Sequence, residues 1–331
     1  MPYNSVPTGR RARALNTVTI HPDPSILGVG MKNLFFKGHG LGNDYIAVTP
    51  ANLTFKLTPR TIRALCDRNW GIGSDGILAL VPSKKADFGL RIYNPDGSEA
   101  EKSGNGLRIF GCYLYHTKVT KKKQFTVETK GGLVEIQLEV NTRGEVTGAT
   151  VQMGKASFQP ITLPCTLRVP ELIQQPVKAA DQSLRFTGVS VGNPHCVVYR
   201  KKGEKWSREE LLQIGPELET HTIFPKRTNV QLAVPTGPRA ISILIWERGA
   251  GETQASGSSA CAAACAGVRL GLVKSPVTVK APGGTLEITV DPQYAITMKG
   301  PVMEVGRGEM SSAFVSSLGK IPPAKNVDPT P

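Results

Sequence analysis

Two stretches of the chain, residues 92–115 and 247–270, are built on the same plan. In each, an apolar strand leads into a polar turn, and a serine followed by a glycine then opens a helix. The serines are Ser103 and Ser256, and a glycine stands six residues before the first and five before the second. A chain that repeats a strand, a turn and a helix start in this way is expected to fold as two similar α/β halves.

A second type of loop recurs upstream of each stretch. Residues 42–48 begin with Gly-Asn and run into an apolar strand, and residues 192–198 do the same. Because the two loop types occur in the same order in both halves, we expect an internal duplication. Such an arrangement would point the two helix N-termini into one cleft between the halves.

Serine and glycine at a helix start indicate a candidate anion site. They leave the first backbone N–H groups free beside the positive end of the helix dipole, which suits a carboxylate or a phosphate. The same residue types are also ordinary helix caps that bind nothing. The second copy favours the anion site over capping alone.

Composition restricts the class of protein. With 331 residues the chain is long enough for two domains, and no apolar run reaches the roughly 18 residues of a membrane span. The six cysteines form no metal-like cluster with histidines, so we expect buried reduced thiols, no metal and a cytoplasmic protein. The net charge of +14 raises nucleic acid as a partner, but the basic residues are scattered and favour a basic enzyme surface instead.

Local patterns predict the order of the segments. Thr58 before Pro59 is typical of a helix N-cap, and a shorter helix is expected over 209–214. Strands are predicted over 166–169 and, as one final strand, over 295–305. The predicted segments are a basic disordered extension (1–31), an N-terminal half (32–150) completed by a last strand near 296–305, a C-terminal half (151–295) and a disordered tail (306–331).

The first thirty residues contain three arginines, one acid and no apolar core, so they do not form a secretory signal. A short targeting peptide, a disordered extension and a start placed upstream of Met31 all stay open.

Seven short blocks in a fixed order resemble the diaminopimelate epimerase family of cofactor-independent amino-acid epimerases. The resemblance covers about residues 33–305. The blocks are residues 37–44, 71–75, 93–98, 103–106, 192–197, 229–230 and 247–253.

The resemblance implies an α/β (α+β) fold of two similar domains, each a mixed sheet around a central helix, with the active site between them. It implies a homodimer, no cofactor and a small amino-acid substrate, most simply LL-/meso-diaminopimelate in lysine biosynthesis. In the family, a cysteine at each helix N-terminus acts on the substrate α-carbon, one thiolate removing a proton and the other thiol returning one on the opposite face.

The chain departs from the family at both of these positions, which are Ser103 and Ser256. A serine hydroxyl is a much weaker acid than a thiol, whose pKa is near ~8.5, so it cannot copy the two-thiol mechanism at a similar rate. Three explanations are open. The cysteines were replaced experimentally; or the serines transfer protons more slowly with a helper, His195 or Glu247; or the chain is a divergent isomerase or small-acid-binding relative.

The first explanation fits poorly, since Lys102, Leu107, Ser258 and Ser259 also differ from the usual family pattern. For the third, double-bond isomerases of this fold use carboxylate or lysine bases. The corresponding candidates are Lys102, Asp96 and His39.

The resemblance also implies the substrate-holding residues. Asn43, Asn94, Asn193 and Asn229 would bind the distal amino-acid end. Glu247 and Arg248 would hold the amino and carboxylate groups, and Gly104, Asn105, Gly257 and Ser258 would supply backbone N–H donors. Each asparagine could instead serve turn geometry alone. Gly76, where some family members have glutamine, removes one possible contact.

Overall fold

Residues 32–320 are described in a computed structural model of the chain, and the proposed extension at 1–31 lies outside this range. The N-terminal half contains eight strands and two helices. In chain order they are β1 Leu34–Gly40, β2 Asn43–Val48, α1 Pro59–Cys66, β3 Ile77–Val81, β4 Phe88–Tyr93, β5 Glu99–Ala100, α2 Gly104–His116, β6 Gln124–Thr129, β7 Gly132–Val140 and β8 Val146–Lys155.

From residue 151 to residue 320, the C-terminal half and the segment after it contain ten strands and three helices. They are β9 Gln175–Ala179, β10 Gln182–Ser190, β11 Pro194–Tyr199, α3 Arg208–Glu219, β12 Asn229–Gly237, β13 Ala240–Glu247, β14 Gly251–Thr253, α4 Gly257–Arg269, β15 Val277–Ala281, β16 Gly284–Val290, β17 Ala295–Pro301, β18 Met303–Glu309 and α5 Ser312–Ser317.

The two halves have the same strand connectivity. From β1 through β2, β3, β4, β6 and β7 to β8, successive pairs are antiparallel, parallel, antiparallel, parallel, antiparallel and antiparallel. The strands from β10 through β11, β12, β13, β15 and β16 to β17 show the same order of antiparallel and parallel pairs. The predicted duplicated α/β fold is confirmed.

Two strand pairings join the halves into one sheet. β8 pairs antiparallel with β17, and β18 pairs antiparallel with β1. The single final strand predicted over 295–305 is therefore wrong, because the chain ends β17 at Pro301 and crosses from β8 to β1 as β18. That last strand does complete the N-terminal half.

The part of the sheet in each half wraps around one central helix. Eleven of the thirteen residues of α2 and ten of the thirteen of α4 are buried. A helix that is buried on nearly all sides needs small or apolar residues around its whole circumference, which explains the alanines of α4 and the burial of Cys261 and Cys265. Both helices are consequently held firmly, with their N-termini at the junction of the halves.

Three local predictions need correction. The segment 166–169 forms no strand. The helix expected over 209–214 continues to Glu219 and contains Pro216. A proline has no N–H to donate to the carbonyl four residues earlier, which here belongs to Leu212, a residue that is 40% exposed to solvent. Within the tail predicted to be disordered (306–331), residues 306–320 include the end of β18 and helix α5, and Met310 and Leu318 are buried against α1; residues 321–331 lie outside the described range. The helix cap at Thr58 is confirmed.

Candidate functional site

The N-termini of α2 and α4 meet at two glycines. A Cβ added to Gly257 would lie 3.2 Å from the Cα of Gly104 and 2.9 Å from the Sδ of Met298. A Cβ on Gly104 would lie 2.7 Å from Met298 Cε. Only residues without a side chain fit this approach, which brings the positive ends of two helix dipoles together.

Ser103 caps α2 on one side of this junction. Its Oγ accepts the Gly106 N–H at 3.0 Å and lies 3.2 Å from the hydroxyl of Tyr45. The N–H groups of Gly104 and Asn105, in the first turn, have no acceptor within the helix. The sequence predicts these two N–H groups as donors to a substrate carboxylate.

Ser256 caps α4 on the other side. Its Oγ accepts the Ser259 N–H at 3.5 Å and lies 3.4 Å from Ser258 Oγ. The carboxylate of Glu247 accepts the hydroxyl of Thr253 at 3.0 Å and lies near enough to Ser256 for the serine hydroxyl to lower its pKa. The serine therefore has a carboxylate beside it.

The surroundings make Glu247 a stronger base than an ordinary glutamate. Loss of water around the half-buried carboxylate raises the pKa of Glu247 above its usual 4.5, and the negative charge of Asp75 in the other half adds to this. The hydrogen bonds from Ser256 and Thr253 act in the opposite direction but are outweighed.

A network of polar side chains contacts the first turn of α2. Asn43 donates to Asp75 at 2.9 Å and accepts from Asn105 at 3.1 Å. Asn105 in turn accepts from the fully buried Arg108 at 2.8 Å, and Arg108 also donates to the carbonyl of Gly104. Asn43 and Asn105, both predicted as site residues, are thus linked to each other and to the helix start.

A corresponding network of polar side chains contacts the first turn of α4. His195 Nε2 lies 2.9 Å from Asn193 Oδ1, and its Nδ1 lies 3.3 Å from Gln231 Oε1. Gln231 donates to Ser259 Oγ at 3.0 Å. Burial lowers the pKa of His195 to about 3, so the ring is neutral at physiological pH. Among residues 32–320, the hydrogen bonds of His195 do not reach Ser103 or Ser256, and its predicted helper role stays a prediction.

The other predicted binding residues hold loops near the junction. Asn94 donates to Ser98 Oγ at 3.0 Å. Asn229 donates to the Pro194 carbonyl at 2.8 Å and accepts the backbone N–H of Arg248 at 3.0 Å. The guanidinium of Arg248 is exposed and donates to a backbone carbonyl at 3.3 Å, so its side chain can turn toward a ligand.

The residues suggested as bases for a double-bond isomerase form hydrogen bonds with groups outside the helix junction. Lys102 donates to the Met153 carbonyl at 2.9 Å, on β8. Asp96 accepts from the Ser98 hydroxyl and N–H within its own turn, and His39 Nδ1 accepts the Gly42 N–H at 3.3 Å. These contacts give no support to a lysine or aspartate base at the helix junction.

Sequence reasoning missed three contributors to the site, Tyr45, Asp75 and Gln231. Each lies on a strand or loop far along the chain from the helix it supports, so no local spacing signals its role. Asp75 does fall within one of the blocks that carry the family resemblance.

Metal-ligand groups and membrane-spanning helices were sought over the described range. Across residues 32–320, no group of three or more His, Cys, Asp and Glu side chains is arranged to hold a metal ion. Over the same range, every helix is too short or too polar to cross a membrane.

The family model for diaminopimelate epimerase matches residues 35–159 and 187–305. The chain belongs to the diaminopimelate epimerase family. Diaminopimelate epimerase 2 from Nostoc sp. is 44% identical over 281 residues, which cover 84% of this chain and 95% of that protein. Diaminopimelate epimerase from Desulfitobacterium hafniense is 38% identical, covering 82% and 96%.

Solved structures show the same fold at lower identity. A hydroxyproline epimerase from Agrobacterium vitis, crystallised with trans-4-hydroxy-L-proline, superposes with a TM-score of 0.62 at 15% identity, covering 85% of this chain and 92% of that one. This likeness confirms the two-domain duplicated fold of the family.

Proposed function

We propose that this protein is a cofactor-independent amino-acid epimerase that inverts one α-carbon of diaminopimelate, converting the LL and meso forms in lysine biosynthesis. The observation that carries the proposal is the pair of serine-capped helix starts that face each other at Gly104 and Gly257. Membership of the diaminopimelate epimerase family supports the choice of substrate.

The helix junction accounts for binding of the reacting end. The substrate carboxylate would accept the free N–H groups of Gly104 and Asn105 on one side and of Gly257 and Ser258 on the other. The two helix dipoles would also stabilise the negative charge that develops as the α-carbon loses its proton.

The remaining substrate groups are assigned to the loops around the junction. Glu247 and Arg248 would hold the amino and carboxylate groups. The four asparagines would bind the distal end through their amides: Asn43, Asn94, Asn193 and Asn229.

Proton removal needs a base, and a serine alone is a poor one. In our proposal, Ser256 Oγ takes the α-proton while its own proton passes to Glu247. The C–H bond breaks, an O–H bond forms on Ser256, and the proton that leaves Ser256 neutralises the carboxylate. The closeness of the Ser256 hydroxyl to Glu247 and the raised pKa of Glu247 support this relay. Ser103 would return a proton on the opposite face.

The wider setting follows the family. We propose that the protein works as a homodimer in the cytoplasm, without a cofactor, and does not act on nucleic acid. Light scattering by the purified chain tests the dimer, and a single-chain mass would contradict it.

Conversion of LL- to meso-diaminopimelate by the purified protein tests the function. We expect slow but measurable turnover, and a steep rise in rate for the double variant Ser103→Cys with Ser256→Cys, since thiols are the stronger acids and bases here. The single variant Cys112→Ser, at a buried thiol along α2, controls for effects of altered cysteine content. Absence of conversion by both the natural chain and the double-cysteine variant would refute the proposal.

A further inference from the structure

The hydroxyl of Tyr45 is the side-chain partner of Ser103. The two oxygens are 3.2 Å apart, although Tyr45 lies on β2, fifty-eight residues before Ser103. Ser103 Oγ also accepts the N–H of Gly106. If Tyr45 donates the second hydrogen bond, both lone pairs of Oγ are used and the hydroxyl proton of Ser103 is left for the cleft.

A glycine makes room for this tyrosine. A Cβ built on Gly76 would lie 2.7 Å from Tyr45 Cε1 and 2.5 Å from the carbonyl oxygen of Tyr93. Any side chain at position 76 would therefore press on the Tyr45 ring. The ring itself is 7% exposed, so its hydroxyl has little freedom to turn elsewhere.

Because of this contact, each of the two serines has an ionisable side chain beside it. Ser256 has the carboxylate of Glu247 beside it, and Ser103 is hydrogen-bonded to the phenol of Tyr45. Each weak serine hydroxyl thus has an ionisable group beside it that can accept or supply the proton that serine alone cannot.

Building on the proposed epimerase function, we infer that Tyr45 positions the hydroxyl of Ser103 and replaces its proton when Ser103 acts as the acid. In this step the Ser103 O–H bond breaks and a C–H bond forms on the α-carbon. The phenol O–H bond breaks and a new O–H bond forms on Ser103. The negative charge moves from the α-carbon to the phenolate, and solvent later reprotonates it while Glu247 releases its proton.

The titration of the two partners agrees with these separate roles. Burial raises the pKa of Tyr45 to about 12, and the hydrogen bond with Ser103 offsets only part of that. Tyr45 is therefore protonated at neutral pH, and its phenol still loses a proton far more readily than an aliphatic hydroxyl does. Glu247 loses its proton at lower pH and serves as the base.

The variant Tyr45→Phe removes only the hydroxyl and tests this role. We expect kcat for LL-to-meso conversion to fall roughly ten-fold or more, with KM changed less than about two-fold. Tyr113→Phe is the matched control. Tyr113 is equally buried, its hydroxyl bonds Thr49 at 2.7 Å, and it lies in the same half of the molecule. This control should keep its kcat.

Repeating Tyr45→Phe in a Ser103→Cys background distinguishes the loss of a proton donor from structural damage by the substitution. A thiol at 103 needs no partner, so Tyr45→Phe should then cost less than about three-fold, and retained activity would show that the Phe variant folds. An equal loss in both backgrounds, or no loss in the natural background, would overturn the inference while leaving the epimerase function intact. An inactive natural chain beside an active Ser103→Cys variant would overturn the inference as well.

Discussion

At the residue scale, each N-cap serine must serve both its helix and the substrate. Ser103 accepts its helix N–H at 3.0 Å, whereas Ser256 accepts its own at 3.5 Å and has the carboxylate of Glu247 beside it. In the LL-to-meso direction we therefore propose Ser256 as the base and Ser103 as the acid.

The pH dependence of turnover tests the role of Glu247. Its base form must be ionised, so the rate should fall as pH drops through its folded-state pKa, which lies above the usual 4.5. Glu247→Gln should remove this acid limb and lower kcat by roughly 10²–10⁴-fold, the range of general base catalysis. Glu252→Gln is the control, since Glu252 is on the adjacent strand and pairs with Arg208. An unchanged acid limb in Glu247→Gln would contradict the relay.

The sequence located the two serines and most of the residues that surround them, because these fall in short contiguous motifs. It did not locate Tyr45 as the partner of Ser103. A hydroxyl contact between a strand and a helix fifty-eight residues apart depends on how the sheet wraps α2, and no local spacing records that.

At the element scale, the site depends on two buried helices that touch at their first residues. The helix starts were predictable from their serine and glycine caps, and so was the cap at Thr58. The split of residues 295–305 into β17 and β18 was not, since both parts have the same apolar strand character. Only their pairing with β8 and β1 separates them.

The variant Gly257→Ala tests the helix contact. The added Cβ would meet the Gly104 backbone at 3.2 Å and Met298 Sδ at 2.9 Å, so Met298 must shift and the helix starts must give by a few tenths of an ångström. We expect turnover to fall at least roughly ten-fold, since small misplacements at a reacting centre are costly, with a smaller fall in thermal stability. Gly306→Ala, where a Cβ meets nothing within 4 Å, is the control. Full activity in Gly257→Ala would show that the close contact is dispensable.

At the scale of the whole molecule, function requires both halves. Each half contributes one serine and one helix dipole, and Asp75 of the first half acts on Glu247 of the second. The duplication was evident from the repeated loops. The structure of residues 306–320 was missed because their few apolar residues, among them Met310 and Leu318, stabilise the segment only by packing on distant α1.

If the two serines act on opposite faces of one α-carbon, turnover in heavy water should place solvent deuterium on that carbon. LL-diaminopimelate should be converted to meso product that carries deuterium at the inverted carbon from the first turnovers, while recovered LL substrate stays largely unlabelled. Binding of diaminopimelate without any deuterium at its α-carbons, at enzyme concentrations equal to the substrate, would rule this mechanism out.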